Sequence, residues 1–480
     1  MLWVPALVGG LFGFGLTAAI YLGAVTTAVD SATVQLPTTT LNSATTTESS
    51  SAAPTVSSAA PTVSSPTTAG STTATTTPPV AGPGEAEVDQ PPVETVVAVG
   101  ADFYVAPSVL GSGSGLSAAN AAGIEDINDL IASADADSVI ELVNDAGTYF
   151  VTESINLSAG GAPGHPITIR GPLEGPRPEL RGNRSNPYDP LGEPGIPLFR
   201  LTGGANHLTF ANLQCTHMGN GCFYVAAPIT ELVITDISAT NVRRFFENGS
   251  SEGQPDATIA GLLISNVDIS GFSKGAIRLA HNTHDVRIVN VVGDSMQNDG
   301  DNFAIGIHLV DTVHDVVIER VTMNNARDTL HEYWNGDGFA AEIGVYDLLL
   351  VDTNASGNTD AGYDLKASNV RLINAAANDN KRNFRLWGQN VVLEGCVGTD
   401  PNLRGGTGTQ TQVHLADAAD VEILGGSFTD GDVDTIVFDI DGSAHLTVRE
   451  AYVEHAATAQ FSTVESSASI ELIENVTVIR

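Results

Sequence analysis

An apolar residue recurs at Phe210, Ile234, Ile264, Ile288, Ile318, Leu350, Leu372, Leu393, Ile423, Val448 and Leu472, at intervals that suit one turn of a solenoid. Two positions after many of these stands a short polar residue: Asn212, Asp236, Asn266, Asn290, Asp352 and Asn374. Such side chains tolerate the left-handed backbone that turns a corner, and they can bond to the equivalent residue of the next coil. Three positions after the strand residue the chain is apolar again, at Leu213, Ile237, Val267, Val291, Val321 and Cys396. Each interval carries a further strand phrase, from Gly275-Ala-Ile-Arg-Leu through Gly362-Tyr-Asp-Leu and Asn383-Phe-Arg-Leu to Gln412-Val-His-Leu. With Ile277, Ile307, Phe339, Tyr363, Phe384 and Val413 facing inward, alternation turns Arg278, His308, Ala340, Asp364, Arg385 and His414 outward. The pattern predicts an all-β chain, a right-handed parallel β-helix of about eleven coils. An antiparallel sandwich would need hairpin signals between its strands instead. Ile124, Ile127, Leu130 and Ile131 share one helical face, which predicts a capping helix over 117–131 at the N-terminal end of the stack.

The first 95 residues follow other rules. Leu2 to Val29 is uncharged and long enough to cross a bilayer, so residues 1–29 are expected to be a signal peptide or a retained anchor. The first Lys or Arg of the chain is Arg170, so charge asymmetry does not decide between the two. Residues 30–95 are rich in Ser, Thr, Ala and Pro, and Ser51-Ala-Ala-Pro-Thr-Val-Ser is repeated from Ser58. That composition predicts an extended disordered stalk. The folded domain is expected over 96–480, outside the cell or on its envelope, touching a membrane only through residues 2–29.

Lys and Arg number 20 against 56 Asp and Glu, a formal net charge of −36, which excludes nucleic acid and anionic lipid as partners. The lysines are Lys274, Lys366 and Lys381. Cys215 and Cys222 are spaced to close a small loop in an oxidising compartment. The plainer reading makes all three cysteines, Cys396 included, small buried apolar residues.

The outward ladder gathers the candidate chemistry. Asp337 and Asp360 fall in the turns that enter this strand, and Glu342 lies further along it. Each has a bland account: a turn Asp usually caps backbone amides, and an exposed Arg or His usually meets solvent. The convergence of Asp337, Asp360 and Asp364 on two adjacent coils is harder to dismiss, because carboxylates that close repel unless a cation separates them.

At these residues the sequence resembles the family 9 polysaccharide lyases, calcium-dependent pectate lyases of the pectate-lyase-like β-helix group. The resemblance is carried by Asn335-Gly-Asp-Gly-Phe-Ala-Ala, Asn358-Thr-Asp-Ala-Gly-Tyr-Asp-Leu and Asn383-Phe-Arg-Leu-Trp-Gly. These match, in order, the family's Asp-Gly-Phe, Asp-Asp-Gly-aromatic-Asp and Gly-Phe-Lys-Leu phrases. The resemblance implies that Asp337, Asp360 and Asp364 are Ca²⁺ ligands and that Arg385 stands at the catalytic lysine. It departs from the family at Ala361, where a second acidic ligand is usual, and at Arg385 itself, since guanidinium does not readily lose a proton.

The implied reaction is β-elimination on an acidic, pectate-like uronic-acid polymer, with a cation at the sugar carboxylate stabilising charge and a base taking the C5 proton. Arg278, His308, Glu342, Lys366, Arg382 and His414 are the expected substrate-binding residues, on a chain expected to act as a monomer. Two alternatives stay open: an inverting glycoside hydrolase with carboxyls ~6.5–9.5 Å apart, and a non-catalytic surface protein that binds glycans.

Overall fold

The computed structural model of the chain describes residues 100–190, 192 and 195–480. The expected leader or anchor and the stalk lie outside the described residues. Among the described residues, no helix is long and apolar enough to cross a membrane.

The strands pair in parallel, coil on coil, in the register that the apolar spacing predicts. Phe210 pairs with Ile234, Ile234 with Ile264, Ile264 with Ile288 and Ile288 with Ile318. The column runs on through Leu350, Leu372, Leu393, Ile423 and Val448 to Leu472. Its members up to Val448 are buried. Leu472 is 45% exposed, a departure from the expected buried column, because the last coil has no described neighbour to cover it.

The corners turn as the short polar residues require. Asn212, Asp236, Asn266, Asn290, Asp352 and Asn374 all have φ between 51° and 54°. Asn290 donates to Asn266 Oδ1 at 3.0 Å, and Asn374 to Asp352 Oδ1 at 3.1 Å, so the corners also bond along the stack. In the coil of Ile318 the corner is Arg320, at φ 53°, whose Nε donates to Asn290 Oδ1 at 2.7 Å.

A separate parallel sheet of twelve strands runs from Ile155–Leu157 to Ser462–Val464 and carries the candidate chemistry. Its members Gly275–Leu279, Ala304–Leu309, Gly336–Ala341, Ala361–Leu365, Arg382–Leu386 and Thr411–Leu415 follow one another in the stack. Phe339, Tyr363 and Phe384 stack inside it, with ring centroids 4.9 and 5.2 Å apart and nearly parallel planes. The corner entering this sheet is held by buried amides. Asn358 donates to Asn380 Oδ1 at 2.8 Å, Asn380 to Asn383 Oδ1 at 3.1 Å, and Asn383 to Gln412 Oε1 at 2.9 Å. That ladder fixes the backbone that presents Asp360 and Lys381.

Two expectations need correction. The helix spans only Ile127–Ser133, preceded by 3-10 turns at Ala118–Asn120 and Ile124–Asp126. Ala122 and Gly123 pair in parallel with Val105 and Ala106, which takes that stretch out of any longer helix. The predicted face still packs inward: Ile127 and Ile131 are buried, with Ile124 and Leu130 against them. Cys215 and Cys222 form a disulfide rather than two core thiols, while Cys396 is free and buried in its apolar column.

Candidate active site

The outward residues stand in line as the alternation predicts. Arg278 pairs with His308, His308 with Ala340, Ala340 with Asp364, Asp364 with Arg385 and Arg385 with His414. Phe384 and Leu386 are buried on either side of Arg385, which is 18% exposed by its side chain. The register thus delivers Asp364 and Arg385 as neighbours on one face.

Asp360 is the hub of the site. Its Oδ1 lies 2.8 Å from both Lys381 Nζ and Arg382 Nη1. Its Oδ2 accepts from the Tyr333 hydroxyl at 2.6 Å and faces Arg385 Nη1 at 3.5 Å. Burial would raise the Asp360 carboxyl, but Arg382, Lys381 and Arg385 outweigh it and hold the group below the usual carboxylate range. Lys381 lies under the Tyr333 ring, 4.6 Å from its centroid. Burial lowers the Lys381 ammonium from its ordinary pKa, with Asp360 opposing.

Asp364 is bonded differently. Its Oδ1 accepts from the Trp387 indole at 2.8 Å, and its Oδ2 lies 3.6 Å from Arg385 and 3.7 Å from Lys366. Arg385 also lies against the Trp387 ring, 4.7 Å from the centroid. Burial pushes the Asp364 carboxyl up despite Arg385 and Lys366. Asp337 belongs to the strand Gly336–Ala341 and not to the turn before it, and it is wholly buried. Its Oδ1 accepts from the Ala361 backbone N–H at 2.8 Å. Burial, then Asp360 and Asp364, drive its carboxyl well above the ordinary value.

These residues do not fit a calcium ion. Asp360 is already surrounded by three cationic side chains, Asp337 is wholly buried with its carboxyl raised by that burial, and Ala361 supplies no side-chain oxygen. Among the described residues, the set of three ligand-type side chains whose ligand atoms lie within 4.8 Å of one another is His414, Asp439 and Asp441, and not the three aspartates. Lys381 and Arg382 both lie 2.8 Å from Asp360 Oδ1, an oxygen of a carboxylate that the resemblance gives to the metal.

The remaining expected residues spread along the same face. Lys366 binds Glu342 at 2.8 Å, and His308 Nε2 lies 3.6 Å from that carboxylate. Burial lowers His308 and keeps its imidazole on the neutral side. Arg278 donates to the Asn248 carbonyl at 3.2 Å, away from Asp360. His414 Nε2 is 3.1 Å from Asp441 Oδ2. Arg382 faces Asp360 and the Tyr333 hydroxyl, the latter at 3.3 Å.

Both cations at the front of the site stay charged. Burial would lower Arg385, yet Asp364 and Asp360 raise it above its ordinary value, and Asp364 and Glu342 do the same for Lys366. Tyr333 is the neutral group beside them. It is 37% exposed, and its phenol is pushed up to about 12 by burial and Asp360, with Arg382 and Arg385 opposing. Sequence reasoning missed Tyr333, although Tyr333-Trp334 directly precedes Asn335-Gly-Asp-Gly-Phe. It also missed Trp387, which directly follows Asn383-Phe-Arg-Leu.

No family model matches this chain, and no curated protein matches it. Among solved structures it is similar to pectate lyase Pel9A, at 15% identity over 76% of this chain and 78% of that one, with a TM-score of 0.35. It is similar to the periplasmic alginate epimerase AlgG at 10% identity, over 73% and 82% of the two chains, with a TM-score of 0.44. An alginate lyase from Paenibacillus sp. matches at 11% identity over 72% of this chain and 97% of that one, with a TM-score of 0.37. None of these likenesses assigns a reaction to this chain. Its own side chains have to.

Proposed function

We propose that this protein is an extracellular lyase that cleaves an acidic, uronate-containing polysaccharide by β-elimination, with side-chain cations in the role that calcium has in the lyases it resembles. One observation carries the reading. Asp360 Oδ2 is shared by the Tyr333 hydroxyl and Arg385, which sets a phenol and a fixed guanidinium side by side on an accessible face. Lys366 directly follows the strand Ala361–Leu365 and Lys381 directly precedes Arg382–Leu386, so two of the three lysines of a chain with net charge −36 flank this site. With Arg382 and Arg385 they give a polyanion cationic side chains to meet on a chain whose net charge otherwise repels it.

In this reading Arg385 and Lys366 neutralise the C6 carboxylate and stabilise the charge that spreads onto it as the C5–H bond breaks. Tyr333, as phenolate beside Arg382 and Arg385, takes the C5 proton. The C5–H electron pair forms the C4–C5 double bond, the C4–O4 bond breaks, and Tyr333 returns the proton to the departing O4. No water is consumed. A hydrolase would need two carboxyls free to act as acid and base, but Asp360 is held by three cations, Asp337 is wholly buried, and Asp364 and Glu342 face Arg385 and Lys366.

The test is a panel of pectate, alginate and glucuronate-containing polymers, each followed for the ultraviolet absorbance of the unsaturated product. The expected result is absorbance on at least one polymer, lost in Tyr333→Phe. Reducing ends released without that absorbance would make the protein a hydrolase, and polymer binding with neither signal would make it a binding protein.

A further inference from the structure

One coil beyond Arg385 the ladder changes character. His414 pairs in register with Asp439, and Asp441 stands just past the end of that strand, two residues further on. Each of the three offers a ligand atom, and these atoms lie within 4.8 Å of one another. The set is built in as well as close. His414 and Asp439 are each more than nine-tenths buried, and the Thr409 hydroxyl orients Asp439 by donating to its Oδ2 at 3.0 Å. His414 meets Asp441 through Nε2 alone, and its buried Nδ1 has no partner. A buried imidazole with an unpartnered nitrogen, beside two carboxylates, is an incomplete arrangement unless something else binds there.

We propose that His414, Asp439 and Asp441 form a divalent metal site of the Mn²⁺ or Zn²⁺ type. The donor set is one imidazole nitrogen and two carboxylate oxygens. Imidazole favours first-row transition ions, whereas Ca²⁺ selects an all-oxygen shell. Three protein ligands leave a coordination position open, and Asp441, whose side chain is 43% exposed, sets the site at the surface. If the face binds a uronate polymer as proposed above, the open position suits the carboxylate of a sugar next to the one that Arg385 holds. The metal site itself does not depend on that reading.

The experiment needs no polysaccharide. The full chain, treated with chelator and desalted, is titrated calorimetrically with ZnCl₂, MnCl₂ and CaCl₂ separately. One equivalent of Zn²⁺ or Mn²⁺ is expected to bind, more tightly than Ca²⁺. Binding is expected to be lost in His414→Gln and in Asp441→Asn and kept in Asp337→Asn. Because His414 is buried, thermal melting of each variant checks folding, and Asp441→Asn, at the exposed ligand, keeps the test decisive if His414→Gln unfolds. Stoichiometric binding that survives in Asp441→Asn would overturn the proposal, as would no stoichiometric heat in the unmodified protein. A single Ca²⁺ site abolished by Asp337→Asn would overturn it too, and would return the metal to the three aspartates.

Discussion

Lys381 Nζ lies 2.8 Å from Asp360 Oδ1, and neither side chain reaches solvent. An ammonium therefore does from within the fold what a bound cation would do from outside. It compensates a carboxylate that burial alone would drive toward its neutral form. Removing one member of a buried pair strands the other, at a cost of ~3–5 kcal/mol. Lys381→Met is expected to fall at the lower end of that range, since Arg382 and Arg385 still face Asp360. Chemical denaturation measures the loss, and millimolar Ca²⁺ is expected not to restore it. A variant as stable as the parent, or one rescued by Ca²⁺, would show that the pair does not stand in for a metal.

Asp337 gives a prediction of opposite sign. Its folded pKa is raised by burial and by two neighbouring carboxylates. A raised carboxyl contributes stability that is fully present below its unfolded pKa, about 3.9, and is lost as pH rises through the folded value. Asp337→Asn removes the ionisation while its side-chain oxygen still accepts from the Ala361 N–H. The variant is thus expected to melt close to the parent near the acid end and above it at neutral and alkaline pH. Melting temperatures compared across that range check the sign. A variant destabilised at pH 8 would mean that the parent holds a charged Asp337 against some cation.

How far the sequence could be read depended on the kind of interaction. Register along the stack follows from side-chain alternation and one repeating apolar column, so the pairing of Asp364 with Arg385 was legible from spacing alone. The corners were legible too, because a left-handed backbone favours Asn and Asp. The Asp360 hub was not. Tyr333 reaches it from an irregular loop, and no periodicity fixes where such a loop returns. The resemblance assigned the aspartates to a metal, but only the side-chain positions reveal that Lys381 and Arg382 both reach Asp360 Oδ1. Asp439 and Asp441 were missed for a plainer reason. They stand one coil beyond His414, the last outward residue of the strand phrases that the repeat picks out.

Tyr363 joins the core to the site through the aromatic stack. Its ring is sandwiched between Phe339 and Phe384, and its hydroxyl bonds Thr353 Oγ1 at 2.9 Å and the Ala376 carbonyl at 3.2 Å. Tyr363→Ala empties a fully buried ring position next to Asp364 and is expected to cost ~3–5 kcal/mol. Tyr363→Phe keeps the stack and loses only the hydroxyl bonds, at ~0.5–1.5 kcal/mol each. Urea denaturation separates the two. Equal losses would mean that the hydroxyl bonds, and not the stack, hold this coil.

Arg385 and Tyr333 have separable roles in the proposed elimination, and kinetics on a cleaved polymer can tell them apart. Asp364 and Asp360 raise the Arg385 guanidinium above its ordinary value, so the proposed elimination gives it the part of a fixed charge. Arg385→Ala is expected to lower kcat and raise KM together, because the guanidinium meets the carboxylate in both the ground state and the transition state. Arg385→Lys keeps a charge without the planar fork. It is expected to retain measurable turnover with an unchanged shape of pH–rate profile. Tyr333→Phe removes only the proton carrier, so kcat is expected to collapse by 10²–10⁴-fold, roughly the worth of one acid–base group, while KM changes little. With the phenol pushed up to about 12, the parent enzyme's rate is expected to climb through the alkaline range as the phenolate fraction grows. A pH profile that moves in Arg385→Lys would identify Arg385 as the titrating base after all. Full turnover in Tyr333→Phe would remove the phenol from the reaction, and His308, neutral and facing the Glu342–Lys366 pair, would become the next acceptor to replace.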